Sequence, residues 1–137
     1  YYGSEWAIKG IKGGSDDWSL RPNISPINHN SDYNYNLENV IKRFINIRHQ
    51  TPALKHGIYK QLLIKQEQFA FERKLGEETV IVTINISDKP ITIDIPISNK
   101  YTKCIDILNG DCKYNLNNNV LSIEVPAHWG NIIKLEY

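Results

Sequence analysis

The residues of this sequence that could bind a metal or act as nucleophiles are its histidines and cysteines. Cys104 and Cys112 lack the spacing of a zinc site, and two cysteines are too few for a disulfide-built scaffold. The four histidines have no companions at the spacing of metal ligands: His29, His49, His56 and His128. We therefore predict no metal site and no nucleophilic triad, and we interpret each histidine as a surface or capping residue.

Two pairs of neighbouring carboxylates are candidates for acid–base chemistry. Two carboxyl groups that cleave a glycosidic bond must face each other across the sugar, roughly 5 to 9.5 Å apart. Asp16 and Asp17 are adjacent in a segment rich in turn formers, and Glu77 and Glu78 lie in a predicted turn. Adjacent side chains tend to diverge, so we expect no acid and nucleophile pair here. We interpret both glutamates as solvated turn residues.

The three tryptophans could stack on the flat apolar face of a sugar ring. Trp129 begins the last predicted strand, where we expect it to fill the edge of a core. Trp6 and Trp18 lie in a long loop, and for them sugar stacking and packing both stay open. A binding module needs two or three exposed rings in a row on one face, and the sequence shows no such spacing.

The elements that would position these residues begin with a long loop and one helix. Residues 1–36 are rich in Gly, Asn, Ser, Asp and Pro and show no helical or strand period. Apolar residues then recur at spacings of three and four, which predicts an amphipathic helix. Asn36 is the expected N-cap, and Pro52 predicts an end near His49 or Gln50. The apolar positions are Leu37, Val40, Ile41, Phe44, Ile45 and Ile47.

From residue 57 the apolar period changes to two, which is typical of strands. Turn residues separate short runs at intervals of about ten residues, the pattern of a β-sandwich. We predict an antiparallel Greek-key β-sandwich of seven or eight strands, with residues 1–52 as one part of the chain and 53–137 as the sandwich domain. The expected inward residues are Phe69 and Phe71; Val80, Val82, Ile84 and Ile86; Ile91, Ile93 and Ile95; Ile105 and Ile107; Leu121, Ile123 and Val125; and Ile133, Leu135 and Tyr137.

The sequence Asn109-Gly110 predicts a two-residue hairpin turn. In that register Cys112 faces Ile107, and Cys104 faces Asn115. Residues 104 and 107 then point to opposite faces of the sheet. We therefore predict that Cys104 and Cys112 form no disulfide.

The charge balance excludes two classes of partner. The chain has 16 Lys and Arg against 15 Asp and Glu, a formal net charge of +1. Such a balance creates no overall field toward nucleic acid or an anionic membrane. The apolar runs are far shorter than the roughly 20 residues that cross a bilayer. We expect no nucleic-acid partner and no membrane partner.

The opening residues "YYGSEW" resemble the motif that closes the eighth barrel strand of the α-amylase family, glycoside hydrolase family 13. The segment "IRHQTPAL" is similar to that family's Leu/Ile-Arg-x-x-x-Pro-Ala-Leu. The later segments "GIYKQLL", "QFAFERKLGEETVIVTINISDKPITIDIP" and "VPAHWGNIIKL" look like its β-sandwich, domain C. The resemblance spans essentially the whole sequence. It implies that residues 1–52 are the remnant of a (β/α)8 barrel, ending in its last helix.

The resemblance also implies where the chemistry lies. Family members are retaining enzymes whose catalytic carboxylates follow earlier barrel strands, so none is expected in this chain. An Asp-x-x-x-Arg element of the family, which holds hydroxyls of a donor-side glucose, matches Asp17 and Arg21. Trp18 departs from the family's usual Pro, Asp16 could take the role of Asp17, and a solvated salt bridge is the alternative. No cofactor is expected in this chain, and calcium is possible in the parent protein.

The predicted function is thus that of the C-terminal portion of an enzyme acting on α-glucans such as starch, glycogen and maltooligosaccharides. The portion itself is expected to be inactive and structural, with the catalytic barrel of the same chain as its partner. The apolar face of the helix is expected to lie against the sandwich or against a second copy. The alternative function is a carbohydrate-binding module that grips starch or glycogen through the sandwich.

Overall fold

The structure is a computed structural model that describes residues 3–13, 17, 20, 24, 33–114 and 116–137. Asn117 is described by its backbone alone. The chain forms two compact units, Tyr1–Ile45 and Asn46–Tyr137. The boundary predicted at residues 52 and 53 stays a prediction.

Helix α1 runs from Tyr35 to Gln50 and ends where Pro52 predicts. Its N-cap is Asn34 and not the predicted Asn36, because the Asn34 Oδ1 atom accepts a hydrogen bond from the Leu37 backbone nitrogen at 2.9 Å. A second helix, α2, follows at Pro52–His56 and was not foreseen. Pro52 suits the first turn of α2 because that position needs no backbone donor.

Nine strands follow in the described part of the chain, one more than predicted, and β7 contains only two residues. They are β1 (Ile58–Ile64), β2 (Gln68–Leu75), β3 (Glu78–Asn85), β4 (Ile91–Pro96), β5 (Lys103–Asp106), β6 (Cys112–Tyr114), β7 (Leu116–Asn117), β8 (Val120–Val125) and β9 (Trp129–Glu136).

The strands form two antiparallel sheets, which confirms the predicted sandwich. Sheet A has the order β1-β2-β3-β9-β5-β6, and sheet B has the order β4-β8-β7. The main core lies between them and takes side chains from both, such as Ile81 and Ile133 from sheet A and Ile93 and Ile123 from sheet B. Strand β9 lies between β3 and β5, near the middle of the larger sheet.

The inward residues were predicted correctly in sheet B but not throughout sheet A. In β3 the inner face carries Ile81 with fully buried polar residues, whereas Val80 and Val82 pack on the outer face. In β5 the buried residues are Cys104 and Asp106, not Ile105 and Ile107. The cause is a second apolar cluster on the outer face of sheet A, which buries apolar residues on that face as well.

The β2 run, the end of the β3 run and the end of the β9 run also differ from the prediction. Ala70, and not Phe69 or Phe71, is the fully buried residue of β2. Ile84 and Ile86 are exposed on the outer face. The side chain of Tyr137 is 49% exposed, although Ile133 and Leu135 of the same strand are buried as expected.

The β5–β6 hairpin has a different register from the predicted one. Cys104 pairs with Tyr114 and Asp106 pairs with Cys112, so residues 107–111 form the loop. Residues paired across a ladder share a face, so Cys104 and Cys112 lie on the same face and the predicted opposition was wrong. Both thiols are nevertheless free, with Cys104 buried and Cys112 exposed.

Candidate functional site

The predicted sugar-contacting pair is described only in part. The Asp17 side chain is exposed, and its backbone carbonyl accepts a hydrogen bond from the Leu20 nitrogen at 3.0 Å. Arg21, Asp16 and Trp18 lie outside the described residues. The assignment of Asp17 and Arg21 to a sugar site therefore stays a prediction.

The two ends of the segment that carries this pair are held together. The Trp6 ring stacks on Tyr33 with a centroid distance of 4.9 Å and an interplanar angle of 7°. The Asn34 backbone nitrogen donates to the Trp6 carbonyl at 2.9 Å, and the same Asn34 caps α1. One face of Trp6 is thus covered by Tyr33 and cannot stack on a sugar.

Backbone conformation and steric crowding explain why a glycine follows the two tyrosines in "YYG". Gly3 has a φ of 87°, in the region that favours glycine. A Cβ at this position would lie 2.6 Å from the Cδ1 atom of Ile24 and 2.8 Å from that of Ile8. Any side chain here would therefore push Ile8 and Ile24 away, and both lie in the segment that carries Asp17.

A second arrangement joins the end of α1 to α2, and we call residues 47–57 the joint. The Arg48 Nη1 atom donates to the Leu54 carbonyl at 2.6 Å, and the Lys55 Nζ atom donates to the His49 carbonyl at 3.2 Å. These bonds cross between the helices in both directions. They give the Arg and the Pro-Ala-Leu of "IRHQTPAL" a shared structural role.

Sheet A holds α2 through Glu78 at the start of β3. The Glu78 Oε2 atom accepts a hydrogen bond from the Ala53 nitrogen at 2.7 Å, and its Oε1 atom lies 3.5 Å from the Lys134 Nζ atom. Glu78 is half-buried, so its interpretation as a solvated turn residue was wrong. Its neighbour Glu77 accepts a hydrogen bond from the Tyr137 hydroxyl, so the two carboxylates have separate structural partners.

The joint also packs on the outer face of sheet A. Ile47 and Ala53 form a buried cluster with Val80, Leu108 and Ile132. Trp129 packs against this cluster and begins β9, as expected. A Cβ on Gly57 would lie 2.5 Å from the Ala53 carbonyl oxygen and 2.9 Å from the Lys74 nitrogen, so the chain leaves α2 in contact with β2.

A network around Asp106 fixes the loop that carries Leu108. The Asp106 side chain is fully buried and accepts six hydrogen bonds. The donors are the backbone nitrogens of Leu108, Asn109 and Ile132, the side-chain amides of Asn109 and Asn131, and the Tyr114 hydroxyl. Sequence reasoning missed this residue because a charged side chain is rarely fully buried.

Burial changes the proton affinity of two groups in this part of the sandwich. Burial raises the pKa of the Cys104 thiol to about 11. Burial, followed by the charge of Asp106, raises the pKa of Tyr114. Both groups are therefore neutral at physiological pH, and Cys104 is unsuited to act as a nucleophile.

The rest of the outer face carries four exposed and two half-buried apolar side chains, which we call the outer-face patch: the exposed Tyr59, Ile64, Ile84 and Ile86, and the half-buried Phe69 and Phe71. Tyr59, Phe71 and Phe69 lie in a row, with centroid distances of 5.6 and 5.5 Å. Beside them Ile64, Phe69, Ile84 and Ile86 line a depression of about 170 Å³. This row was not predicted from the sequence, since it depends on the pairing of β1 with β2.

The histidines, cysteines and acidic residues do not gather into a metal site in the described part of the chain. It contains no group of three or more His, Cys, Asp or Glu side chains that could hold a metal ion. His49, His56 and His128 are exposed, while His29 lies outside the described part. No helix within the described ranges is long and apolar enough to cross a membrane.

Comparison with known families gives a match that covers most of the sandwich. The family described as "Neopullulanase-like, C-terminal domain" matches residues 59–127.

Comparison with individual proteins gives relatives that are much longer than this chain. The chain is 26% identical over 140 residues to a cyclomaltodextrin glucanotransferase of Niallia circulans, which covers 94% of this chain and 18% of the relative. It is 34% identical over 56 residues to a palatinase of Erwinia rhapontici, covering 40% of this chain and 10% of the relative. An α-amylase structure from Anoxybacillus has a TM-score of 0.79 at 21% identity, covers 98% of this chain and 28% of its own, and shows the shared fold.

Proposed function

Because this chain belongs to the family of neopullulanase-like C-terminal domains, we propose that it is the structural C-terminal domain of an α-amylase-family enzyme acting on α-glucans. The chain spans less than a third of the length of the relatives it matches. The catalytic activity and the glucan substrate therefore belong to the proposed whole protein. The names of the relatives, a palatinase, a glucanotransferase and an α-amylase, support α-glucosidic bonds as its target.

The observation that carries the structural role is the joint. Its two helices are held to each other by Arg48 and Lys55 and to sheet A by Glu78. Such a joint fixes the end of α1 against the sandwich. In our proposal α1 is the last helix of the catalytic barrel, so the joint fixes the sandwich on the barrel.

The outer-face patch supplies the proposed contact surface for the barrel. Ile64 is 67% exposed, Ile86 is 61% exposed and Tyr59 is 50% exposed. Complete burial of one such side chain is worth about 1.5–3 kcal/mol, so covering the patch stabilises the domain and its partner together. Contiguous apolar surface next to an anchored helix is typical of an interface.

The proposed sugar contact is Asp17 with Arg21, beside the cleft of the whole enzyme. The Asp17 side chain is exposed, and a carboxylate with a guanidinium suits sugar hydroxyls. The stacked Trp6 and Tyr33 would hold the segment that presents this pair. Alanine at Asp17 or Arg21 in the whole enzyme is then expected to raise KM for maltooligosaccharides more than it lowers kcat.

The decisive experiment measures turnover and association separately. This chain alone should release no reducing sugar from starch or maltooligosaccharides, whereas the full-length protein should. A separately expressed barrel should bind this chain, and Ile86→Ser with Tyr59→Ser should weaken that binding about tenfold or more. Thr92→Ser with Glu124→Gln, on exposed positions of sheet B, is the matched control. Turnover by the chain alone, or equal binding by both double variants, contradicts the proposal.

A second candidate function rests on the aromatic row Tyr59, Phe71 and Phe69. Three neighbouring rings on one face are what a glucan-binding module needs, and Tyr59 is half exposed. Affinity electrophoresis in glycogen gels separates the two functions. Retardation of this chain that Tyr59→Ala abolishes supports the binding module, whereas unchanged mobility in glycogen supports the structural domain.

The isolated chain is also proposed to self-associate through α1. Phe44 and Ile45 of this helix are 41% and 49% exposed. Sedimentation of the chain over a concentration range should show a dimer that Ile45→Glu disperses. A monomer at every concentration contradicts this proposal.

A further inference from the structure

Asn109 and Gly110 form an Asn-Gly pair inside the 107–111 loop, and this pair has a chemistry of its own. Glycine offers no Cβ to shield its backbone nitrogen, so that nitrogen can reach the side-chain carbonyl carbon of the preceding asparagine. Gly110 is exposed and has a φ of 82°, and among the described residues other than Gly110 and its two chain neighbours no heavy atom lies within 4 Å of where its Cβ would be. The sequence therefore places an unhindered backbone nitrogen directly after an asparagine.

We propose that Asn109 is a site of spontaneous deamidation, that opening of the 107–111 loop controls its rate, and that the product loosens the joint. The Gly110 nitrogen bonds to the Asn109 Cγ atom, the Cγ–Nδ2 bond breaks, and the nitrogen leaves as ammonia with the displaced proton. Water then adds to one carbonyl carbon of the resulting cyclic imide and reopens it. Addition at Cγ gives aspartate, and addition at the backbone carbonyl gives isoaspartate. The sum is one amide and one water giving one acid and one ammonia.

The closed loop holds the Asn109 side chain away from this reaction. Its Nδ2 atom donates to the Asp106 Oδ2 atom at 2.7 Å and to the Gly130 carbonyl at 3.1 Å. Its Oδ1 atom accepts from the Trp129 Nε1 atom at 2.8 Å. Rotation of the amide toward Gly110 must break these bonds together. The reaction consequently proceeds from an open form of the loop.

The product cannot restore the closed loop. An acid at position 109 loses both Nδ2 donors and places a second carboxyl group beside the buried Asp106. Two carboxylates at hydrogen-bond distance repel each other. Asp106 also orders the Leu108 nitrogen, and Leu108 packs on Ile47 and Ala53 of the joint. Modification of Asn109 should therefore loosen the packing of Leu108 on the joint.

The first test compares rates at mildly alkaline pH and raised temperature. Peptide mapping by mass spectrometry follows Asn109 in the folded chain and in a synthetic peptide of residues 107–113. We expect the folded chain to react about tenfold slower or more, and denaturant to bring it to the peptide rate. Equal deamidation rates in the folded chain and the peptide without denaturant contradict the proposal that the closed loop slows the reaction. Absence of product after many peptide half-lives overturns the opening of the loop.

The second test separates local opening from global unfolding. Trp129→Phe removes the donor to Asn109 Oδ1 and is expected to speed the reaction several-fold. Trp6→Phe is the matched control and should leave the rate unchanged. Ile93→Ala places a cavity in the core on the sheet B side and destabilises the whole sandwich. If Ile93→Ala speeds deamidation as much as Trp129→Phe or more, the rate is not controlled by local opening of the 107–111 loop.

The third test uses Asn109→Asp as the aspartate product. The amides of Leu108 and Ile132, which donate to Asp106, should exchange about tenfold faster or more. The urea midpoint should fall. Asn118→Asp, in an exposed turn, is the control and should change neither quantity. Unchanged exchange in Asn109→Asp overturns the proposed effect on the loop.

Discussion

The Glu78 carboxylate accepts a hydrogen bond from the Ala53 backbone nitrogen at 2.7 Å, so a strand residue caps helix α2. Thr51, the N-cap residue, provides no side-chain cap, and Ala53 is fully buried. Glu78→Ala leaves that amide without an acceptor, and we expect a loss of about 1–3 kcal/mol in the free energy of unfolding. Urea denaturation measures it. Glu78→Gln keeps an acceptor and should lose less, and Glu124→Ala, at an exposed position of β8, should lose almost nothing. Equal losses for Glu78→Ala and Glu124→Ala would refute the cap.

The cap of α1 gives a second prediction. Asn34→Ala removes the acceptor for the Leu37 nitrogen and should destabilise the first turn by about 1 kcal/mol. Hydrogen exchange at Leu37 should rise about fivefold at that cost. Asn36→Ala is the control, since Asn36 lies inside the helix and is exposed. A larger rise in exchange for Asn36→Ala than for Asn34→Ala would show that Asn36, the residue predicted from the sequence, is the N-cap.

Asp106 carries a third prediction. Asp106→Asn replaces one acceptor oxygen by a donor that faces existing donors inside the protein. We expect the free energy of unfolding to fall by about 3 kcal/mol, measured by urea denaturation. Asp94→Asn is the matched control, since Asp94 is exposed and accepts from the Ser122 hydroxyl at 2.6 Å. A comparable fall in both variants would show that the buried hydrogen bonds of Asp106 contribute no more to stability than the exposed one of Asp94.

The raised pKa of Cys104 gives a fourth prediction, which concerns how the free energy of unfolding changes at alkaline pH. Its pKa rises from 9.0 to about 11 on folding. Below the lower value the thiol keeps its proton in both states, so it contributes no pH dependence. Between the two values the unfolded chain loses the proton first, and stability falls as pH rises, by up to about 2–3 kcal/mol. Unfolding free energies across this range should show a shallower decline in Cys104→Ala than in Cys112→Ala. Identical declines would contradict the assignment to Cys104.

Sequence periodicity located the strands better than it located their faces. Leu121, Ile123 and Val125 of β8 were assigned correctly because polar residues separate them and only one side of sheet B packs on a core. In β3 the fully buried Thr79, Thr83 and Asn85 satisfy their hydrogen-bonding groups inside the sandwich. Outer residues such as Val80 pack under the joint. Polarity therefore gave the wrong face where a polar side chain finds a partner inside the protein.

The candidate site was predictable where a motif acts locally. "IRHQTPAL" marked the joint, and Pro52 marked the end of α1. The aromatic row was not predictable, because Tyr59 and Phe71 meet only through the pairing of β1 with β2, in which Gln61 lies opposite Phe71. The hairpin register failed for a similar reason. The Asp106 carboxylate draws the Leu108 and Asn109 nitrogens into a longer loop than Asn-Gly alone implies.

The central place of β9 in sheet A governs the order in which this sandwich can fold. The β1-β2-β3 meander and the β5–β6 hairpin each join strands close in sequence, and β9 is the strand that bonds to both groups. The larger sheet therefore stays in two pieces until residues 129–136 arrive. Pairings between distant residues slow folding, because the chain between them loses entropy before contacts compensate it. Substitutions in β9 should accordingly slow folding of the sandwich, in addition to any change in its final stability.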